Sequence, residues 1–425
     1  MHAIRVWIQV QGQFINVNSA DKGLQFGPTK CKSMLIGKET EHVLNSDLLV
    51  DSWIVKHELN LETGEAELIE NYGGPIPIEK VKEQKYLGFV ISSSGNNMAN
   101  INELKKKSIG VVKKIFNKLN SLTLQKYYFE CGIIFMNVML RSSLLYACET
   151  YYNLKENELR QIERIEEGFM RKLLKTTAGC PIVQLYLELG QFPARFEIMK
   201  TRLLFLKCIL SENEESMINR FFKLQLQHMT KGDWAYTCLE DLKLLNISES
   251  LENIQTMTKN KFAKLLKQRI TKLALSYLRG KQRSKGKEIE YENLEMSEYL
   301  KPNEQGLSIE DQRDLFAVRN RMIDIPANFP QKNKDANKET CICGHDEDMI
   351  HIYSCKQLNK YEEVNSEEYL NIYSGNLRKQ IKVFRRFQKN FEIRESYLNT
   401  TEKDANITET RVLPSLCDPL FSVRV

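Results

Sequence analysis

The pattern of hydrophobic and polar positions changes its period near residue 95. Before that point, short apolar runs such as KSMLIG and KYLGFVIS end in Gly or Ser, and DSWIVKHELNLETGEAELIENYGG alternates polar and apolar residues around ETGE. Alternation with a period of two around a turn signal predicts a β-hairpin. Beyond Gly95 the apolar residues recur at helical spacing. The pattern therefore predicts an α+β fold, in which a small β-rich segment precedes a long, predominantly α-helical one.

Helical periodicity predicts individual elements over most of the remaining chain. One helix covers Ile101–Leu119, a densely apolar one runs from about 125 to 148, and a third from about 155 to 175. Two more follow Pro181 and Pro193, because proline commonly precedes a helix. The region 212–320 is more weakly helical.

Two charged stretches complete the pattern. RGKQRSKGKE interrupts the weakly helical region and has the composition of a solvated basic linker. The tail after Cys355 is polar and charged, with one helix predicted around NLRKQIKVFRRFQKNFEIRESYL. No internal repeat is evident.

Composition narrows the class of protein. The 425 residues are 42% hydrophobic and 27% charged, with 61 Lys and Arg against 55 Asp and Glu. This mild positive charge permits binding to a polyanion but does not require it. The most apolar window, FECGIIFMNVMLRSSLLYAC, is interrupted by Glu130, Asn137 and Arg141, and the first residues lack the pattern of a secretory signal. We expect an intracellular protein, nuclear or cytoplasmic, with reduced thiols and no membrane partner.

A dense Cys/His cluster lies near the C-terminus, in the segment CICGHDEDMIHIYSC. Cys341, Cys343, His351 and Cys355 form the pattern C-x-C-x7-H-x3-C. Four nitrogen and sulfur ligands suit tetrahedral Zn(II), and a complete protein ligand set indicates a structural zinc knuckle. The metal would stabilise a loop too short to have its own core. His345 is an alternative ligand, because a single residue between two cysteine ligands is unusual. A decayed site and unrelated reduced cysteines are the other interpretations.

A lysine-rich helix is the second candidate site. In NELKKKSIGVVKKIFNKL, helical spacing places Lys107, Lys114 and Lys118 on one face, with Lys106 and Lys113 beside them. Such a face can follow a phosphate backbone without reading sequence. The alternative is a solvated helix face with no ligand.

Several short motifs occur in a characteristic order. GLQFGPTKCKSMLIGK and KYLGFVISSSG precede LLYACET, and LFAVRNRMIDIPANFP leads into the Cys/His cluster. Together they resemble the reverse transcriptase of non-LTR (LINE-type) retrotransposons, a class of transposable element. The matching positions outside the Cys/His cluster are Gly23, Leu24, Lys30, Tyr86, Leu87, Gly88, Leu144, Leu145, Tyr146, Cys148, Glu149 and Thr150.

The resemblance implies an organisation for the whole chain. It implies the end of the palm with a primer-grip hairpin in 1–98, a helical thumb in 99–211, a helical linker region in 212–335, the zinc knuckle in 336–360 and a charged helical tail in 361–425. It also implies RNA or DNA, in the form of a template–primer-like duplex, as the partner. The residues expected to contact nucleic acid are Lys30, Tyr86, Gly88, Lys106, Lys107, Lys113, Lys114 and Lys118.

Departures from the family pattern bear on activity. RNA-directed DNA polymerases need Asp carboxylates for two metal ions, but no Asp-Asp pair precedes Gly23. Gly27 and Cys31 also replace the family's Asn and Thr. Nucleotide-binding, serine-hydrolase and zinc-protease signatures are likewise absent from the sequence. We therefore expect a truncated reverse transcriptase that binds nucleic acid without polymerising, with no catalytic residues and no catalytic Mg(II) site.

Other interpretations belong to different classes. A separate chain could supply the palm and fingers. A host-adopted helical protein-interaction module would use the same helices to bind proteins, with its lysines only solvated. A non-functional retrotransposon fragment is the third interpretation. Salt dependence separates the first two classes, because neutralising phosphates gives a steep slope and hydrophobic docking does not.

Overall fold

A computed structural model shows the α+β architecture expected from the sequence, with helices predominating. The residues that it describes are 32–33, 49–59, 66–77, 79–93, 97–121, 125–177, 179–283, 291, 293–302, 306–323, 325, 327–328 and 341–405. The chain packs as two compact units, each assembled from separated stretches. Unit 1 comprises 1–116, 136–166 and 193–270, and unit 2 comprises 117–135, 167–192 and 271–425. The five consecutive segments expected from the sequence remain a prediction.

The N-terminal part contains two antiparallel hairpins and a short parallel pair. Strands β2 (Leu49–Leu59) and β3 (Ala66–Pro77) form the hairpin predicted around ETGE, with a register shift at Ser52/Trp53. Strands β1 (Lys32–Ser33) and β4 (Glu79–Lys80) pair in parallel. The remaining residues of KSMLIG lie outside the described part. KYLGFVIS spans a second hairpin, whose strands are β5 (Glu83–Tyr86) and β6 (Phe89–Ser92).

Unit 1 has its core on the helices around the predicted LLYACET motif. Its elements include most of α1 (Met98–Asn120), α3 (Ser142–Leu144), part of α4 (Glu156–Leu174), α6 (Ala194–Ser211), α7 (Met217–Gln227), α8 (Trp234–Leu244) and α9 (Leu251–Thr256). A 3-10 turn covers Cys148–Thr150. The buried apolar cluster consists of Ile101, Leu144, Leu145, Cys148, Tyr151, Ile162, Ala194 and Ile198.

The helix predicted over about 125–148 is present from 125 to 144, but it is not a regular α-helix throughout. A 3-10 turn (Gln125–Tyr127) and α2 (Tyr128–Phe135) lead into a π-helix at Met136–Arg141 and then α3, and Ala147 has a left-handed φ of 57°. A π-helix has one extra residue per turn, so the apolar spacing hardly reveals it. Within unit 1, the buried Arg141 guanidinium donates to Glu166 at 2.8 Å and to Asn137 Oδ1 at 3.1 Å.

Unit 2 is organised by polar groups buried among its helices. It contains α2, the end of α4, α5 (Ile182–Glu188), a 3-10 turn (Glu298–Leu300), α11 (Ile309–Arg319), α12 (Met349–Ser354), a 3-10 helix (Ser366–Tyr373) and α13 (Leu377–Ala405). Glu188 is fully buried and accepts from Tyr291 Oη at 2.8 Å and from Arg319 Nε at 3.0 Å. Because each charged group has a partner, burying them does not leave a charge uncompensated.

The first half of the linker predicted at RGKQRSKGKE is helical instead. Helix α10 (Lys259–Arg283) extends through the first five residues of that stretch, and Gln282 is buried. The basic residues there are good helix formers, and a buried apolar row of Phe262, Leu266 and Ile270 directs the helix onto the protein. Residues 284–290 lie outside the described part. No helix in the described ranges is both long and apolar enough to cross a membrane.

Candidate metal centre and cation-bearing surfaces

The structure brings the four predicted metal ligands together. The donor atoms of Cys341, Cys343, His351 and Cys355 all lie within 4.8 Å of one another. Cys341 Sγ is 3.6 Å from Cys355 Sγ, and Cys343 Sγ is 3.2 Å from His351 Nε2. With metal–ligand bonds of about 2.0–2.3 Å, the edges of a tetrahedron measure roughly 3.3–3.8 Å. The group therefore has the donor set and nearly the spacing for a metal ion such as zinc.

A tight turn allows Cys341 and Cys343 to face the same point although only one residue separates them. Gly344 N donates to Cys341 O at 2.6 Å, and Cys341 N donates to His345 O at 2.9 Å. Gly344 has a φ of +81°, which glycine adopts without the steric cost of a side chain. The chain reverses within these five residues, so both thiols point toward one centre.

Helix α12 and its C-cap residue, Cys355, supply the other two ligands. Asp348 caps the helix by accepting from His351 N at 2.6 Å, and Cys355 N donates to His351 O at 2.7 Å. The four-residue separation of His351 and Cys355 thus spans one helical turn, as the sequence predicts.

His345 is close to the centre but outside the four-residue group. Its Nδ1 lies 3.4 Å from Cys343 Sγ, and its ring stacks on that of His351 with centroids 6.0 Å apart. The hydrogen bond with Cys343 raises the pKa of the exposed His345 above its ordinary value. His345 is not among the four residues whose donor atoms all lie within 4.8 Å of one another, so the geometry favours the four-residue set.

Burial shapes the chemistry of the thiols. Cys341 and Cys355 are buried, whereas Cys343 is half-buried. Burial raises the pKa of the Cys341 thiol to about 12. Without a metal, this thiol keeps its proton at neutral pH. Metal binding must therefore displace a proton, which makes the affinity pH-dependent.

The sequence pattern does not reveal the contacts that hold this knuckle, defined as residues 341–355, against the rest of unit 2. Buried Glu347 accepts from Arg394 Nε at 2.8 Å through each carboxylate oxygen, and from Arg394 Nη2 at 2.5 Å. Asn390 Nδ2 donates to the carbonyls of Ile352 and Tyr353 at 2.9 and 3.1 Å. Asn390 and Arg394 are four residues apart on α13, so they share a face. The knuckle is not an isolated loop that depends on a metal alone.

The predicted lysine face of α1 is present as an exposed surface. Lys106, Lys107, Lys113, Lys114 and Lys118 are all exposed. Leu104, Ser108, Ile115 and Leu119 form a buried stripe on another side of the helix. None of the five lysines has an ion pair with another described residue. Their contact with nucleic acid stays a prediction.

The second hairpin projects exposed side chains near this face. Its turn has two positive φ values, 46° at Leu87 and 89° at Gly88, which is the conformation of a two-residue hairpin turn. Tyr86 and Leu87 are 63% and 75% exposed. Tyr146 Oη donates to Leu87 O at 2.7 Å and so fixes the turn.

A shallow cleft of about 210 Å³ connects the two features within unit 1. It is lined by Gly88, Leu104, Lys107, Ser142, Ser143 and Tyr146. Lys107 and Gly88 are predicted contact residues, and the structure places them in one cleft. Lys30, the remaining predicted contact, lies outside the described residues. The residues of the LLYACET motif lie in two different places. Leu144, Leu145 and Cys148 pack in the core, and Tyr146 is the one residue of the motif that lines the cleft.

Comparison with known proteins adds no relative: no protein-family model, no curated protein and no solved structure matches the chain.

Proposed function

We propose that this protein binds the phosphate backbone of a nucleic-acid duplex along the lysine face of α1 and the adjoining hairpin turn. The observation that supports this most directly is the set of five exposed lysines on a helix that packs through a separate buried stripe. None of the five forms an ion pair with another described residue, and only Lys106 and Lys107 are attracted at longer range by Glu103, which pairs with Lys85. Most of this positive charge therefore remains available to an external anion.

The spacing of these lysines suits a polyanion. Lys107 and Lys118 are eleven residues apart, which corresponds to about 16 Å along a helix. A duplex carries one charge per roughly 1.7 Å of its axis, so several phosphates fall within that length. Lysine is a flexible point charge, and such contacts position a protein on the backbone without specifying a base sequence.

The cleft adds apolar and aromatic surface beside the lysine face. Tyr86 and Leu87 present exposed apolar surface beside it, while Ser142, Ser143 and Lys107 offer polar groups. Aromatic side chains stack on unpaired bases, so Tyr86 suits the end of a duplex or a single-stranded overhang. This agrees with a template–primer-like ligand, as the resemblance to LINE-type reverse transcriptases implies.

We further propose that Cys341, Cys343, His351 and Cys355 hold a structural zinc ion. Three sulfurs and one nitrogen form a donor set that zinc prefers, and all four positions come from the protein. A bound zinc ion would supply stability to the turn and to α12. The chain's own part is to orient the thiols and to anchor α12 on α13.

Salt titration of duplex binding tests the nucleic-acid proposal. The full chain is titrated with a fluorescent 20-base-pair duplex between 50 and 300 mM salt, beside the variant Lys107→Gln/Lys114→Gln/Lys118→Gln. If all three lysines contact phosphate, the slope of log K against log[salt] becomes shallower by about 2.7. An unchanged slope would show that α1 presents only a solvated face.

The same titration separates the rival protein-interaction module. Ile109 and Val138 are 61% and 66% exposed, which is the specific observation in favour of that module. Hydrophobic docking depends little on salt, so a partner captured through these residues would resist 300 mM salt. Loss of that capture in Ile109→Ser, together with absent duplex binding, would favour the module.

A further inference from the structure

The most positively charged helix in the described part of the chain lies outside the proposed site. Helix α10 carries nine Lys or Arg residues among its 25 and no Asp or Glu. The end of this helix falls in the stretch that the sequence pattern predicts to be a linker. The proposed function involves α1 and the hairpin turn, and none of the charged side chains of α10. A run of like charges on a regular helix has an electrostatic cost, because like charges three or four residues apart repel.

In the first half of α10, three of these lysines lie on one exposed face of a helix whose other face is buried. Phe262, Leu266 and Ile270 are buried at intervals of four residues and fix the rotation of the helix. Lys261, Lys264 and Lys267 are exposed at intervals of three. Positions separated by three residues form a continuous ridge on a helix. The three ammonium groups therefore belong to one ridge, whose orientation the core determines.

The acidic side chains in the described part of the chain form no ion pair with this ridge. None of Lys261, Lys264 and Lys267 forms an ion pair with another residue in the described ranges. Other cations of unit 1 are paired, as Arg195 is with Glu156 and Glu163, and Arg202 is with Asp241. The ridge thus keeps repulsion that one acidic substitution would relieve. An external polyanion would relieve it too.

We propose that the ridge of Lys261, Lys264 and Lys267 is a second binding site for the phosphate backbone of duplex nucleic acid. Three lysines along about 9 Å of helix match a closely spaced row of anions. The choice of a nucleic acid over an acidic protein rests on the proposed function of α1. The existence of a polyanion site on α10 rests on the ridge itself.

The experiment uses the full chain and two triple variants with equal net charge. One is Lys261→Gln/Lys264→Gln/Lys267→Gln. The matched control is Lys223→Gln/Lys301→Gln/Lys356→Gln, whose lysines each pair with a glutamate. Glutamine preserves helix propensity, and thermal unfolding verifies that both variants fold. The probe is the same 20-base-pair duplex, titrated over the same salt range.

We expect the ridge variant to lose about 2.7 from the salt slope and about a hundredfold in affinity at 150 mM salt. The control should keep the wild-type slope. Equal behaviour of ridge variant and control would overturn the inference. So would competition in which polyglutamate displaces the duplex as well as unlabelled duplex does at equal charge, because the ridge would then be a surface for acidic protein.

Comparison with the α1 variant separates this inference from the proposed function. If the ridge variant loses its slope while the α1 variant keeps it, the ridge binds duplex and the assignment of α1 fails. If only the α1 variant changes, the inference fails and the proposed function stands. Loss in both variants supports both sites.

Discussion

The knuckle and the ridge of α10 use charged side chains in opposite ways. In the knuckle, Glu347 and Arg394 are buried and bonded through several atoms, and the candidate metal ligands converge on one point. On α10, Lys261, Lys264 and Lys267 are exposed and have no ion pair with another described residue. A buried charge without a partner is strongly destabilising, whereas an exposed one is tolerated. The first region therefore uses charge to hold its own fold, and the second keeps charge available to a ligand.

Removing the metal should have the largest effect. Purified protein should carry about one equivalent of zinc, and His351→Ala should abolish it, because a three-ligand site loses much of the free energy that structural zinc contributes. Metal analysis and the visible spectrum of the cobalt-substituted protein measure this directly. His345→Ala is the control and should retain zinc. If His345→Ala loses zinc while Cys343→Ser keeps it, the ligand set is wrong.

The pH dependence of zinc binding follows from the Cys341 thiol. Its pKa is raised to about 12 by burial, so the metal-free thiol is protonated throughout the physiological range. Zinc must displace that proton, and affinity should fall as the pH decreases, by up to about tenfold per pH unit for each displaced proton. Competition with a chromophoric chelator between pH 8 and pH 6 measures it. An affinity that does not change with pH would contradict thiolate ligation.

Breaking the buried ion pair should have the next largest effect. Arg394→Met leaves the Glu347 carboxylate buried without its partner, and we expect a loss of about 3 kcal/mol in the free energy of unfolding. Hydrogen exchange should increase in residues 341–355. The double variant Glu347→Gln/Arg394→Met should recover part of the loss, because it removes the isolated charge. A single variant as stable as the wild type would show that Glu347 is solvated and that the knuckle does not depend on Arg394.

Relieving the repulsion on α10 should have the smallest effect, with the opposite sign. Lys264→Gln removes like-charge contacts with Lys261 and Lys267, each three residues away. We expect a gain of a few tenths of a kcal/mol in stability, seen in chemical denaturation at low salt and reduced at high salt. A gain that persists unchanged in 1 M salt would have another cause. The opposite effects of Lys264→Gln and Arg394→Met on stability could then not both be explained by charge pairing.

The sequence by itself determined the local structure of this protein. Patterns within a few residues predict four features of the structure. They are the β2–β3 hairpin, the helices at 98–120 and 156–174, the exposed lysines of α1 and the one-turn spacing of His351 and Cys355. Such patterns are visible because side-chain direction repeats with the period of the element. The four clustered ligands lie within 15 residues of one another, which is why the sequence could also predict the candidate site.

Only the tertiary structure decided which distant groups meet. The π-helix at Met136–Arg141 accompanies the contact of Arg141 with Glu166, 25 residues away. Glu347 of the knuckle is bonded to Arg394, 47 residues away. The predicted linker continues α10 beyond Arg279 because Gln282 packs into the protein. These contacts depend on which surfaces pack against each other over long separations, and the period of hydrophobic residues carries no information about partners at that distance.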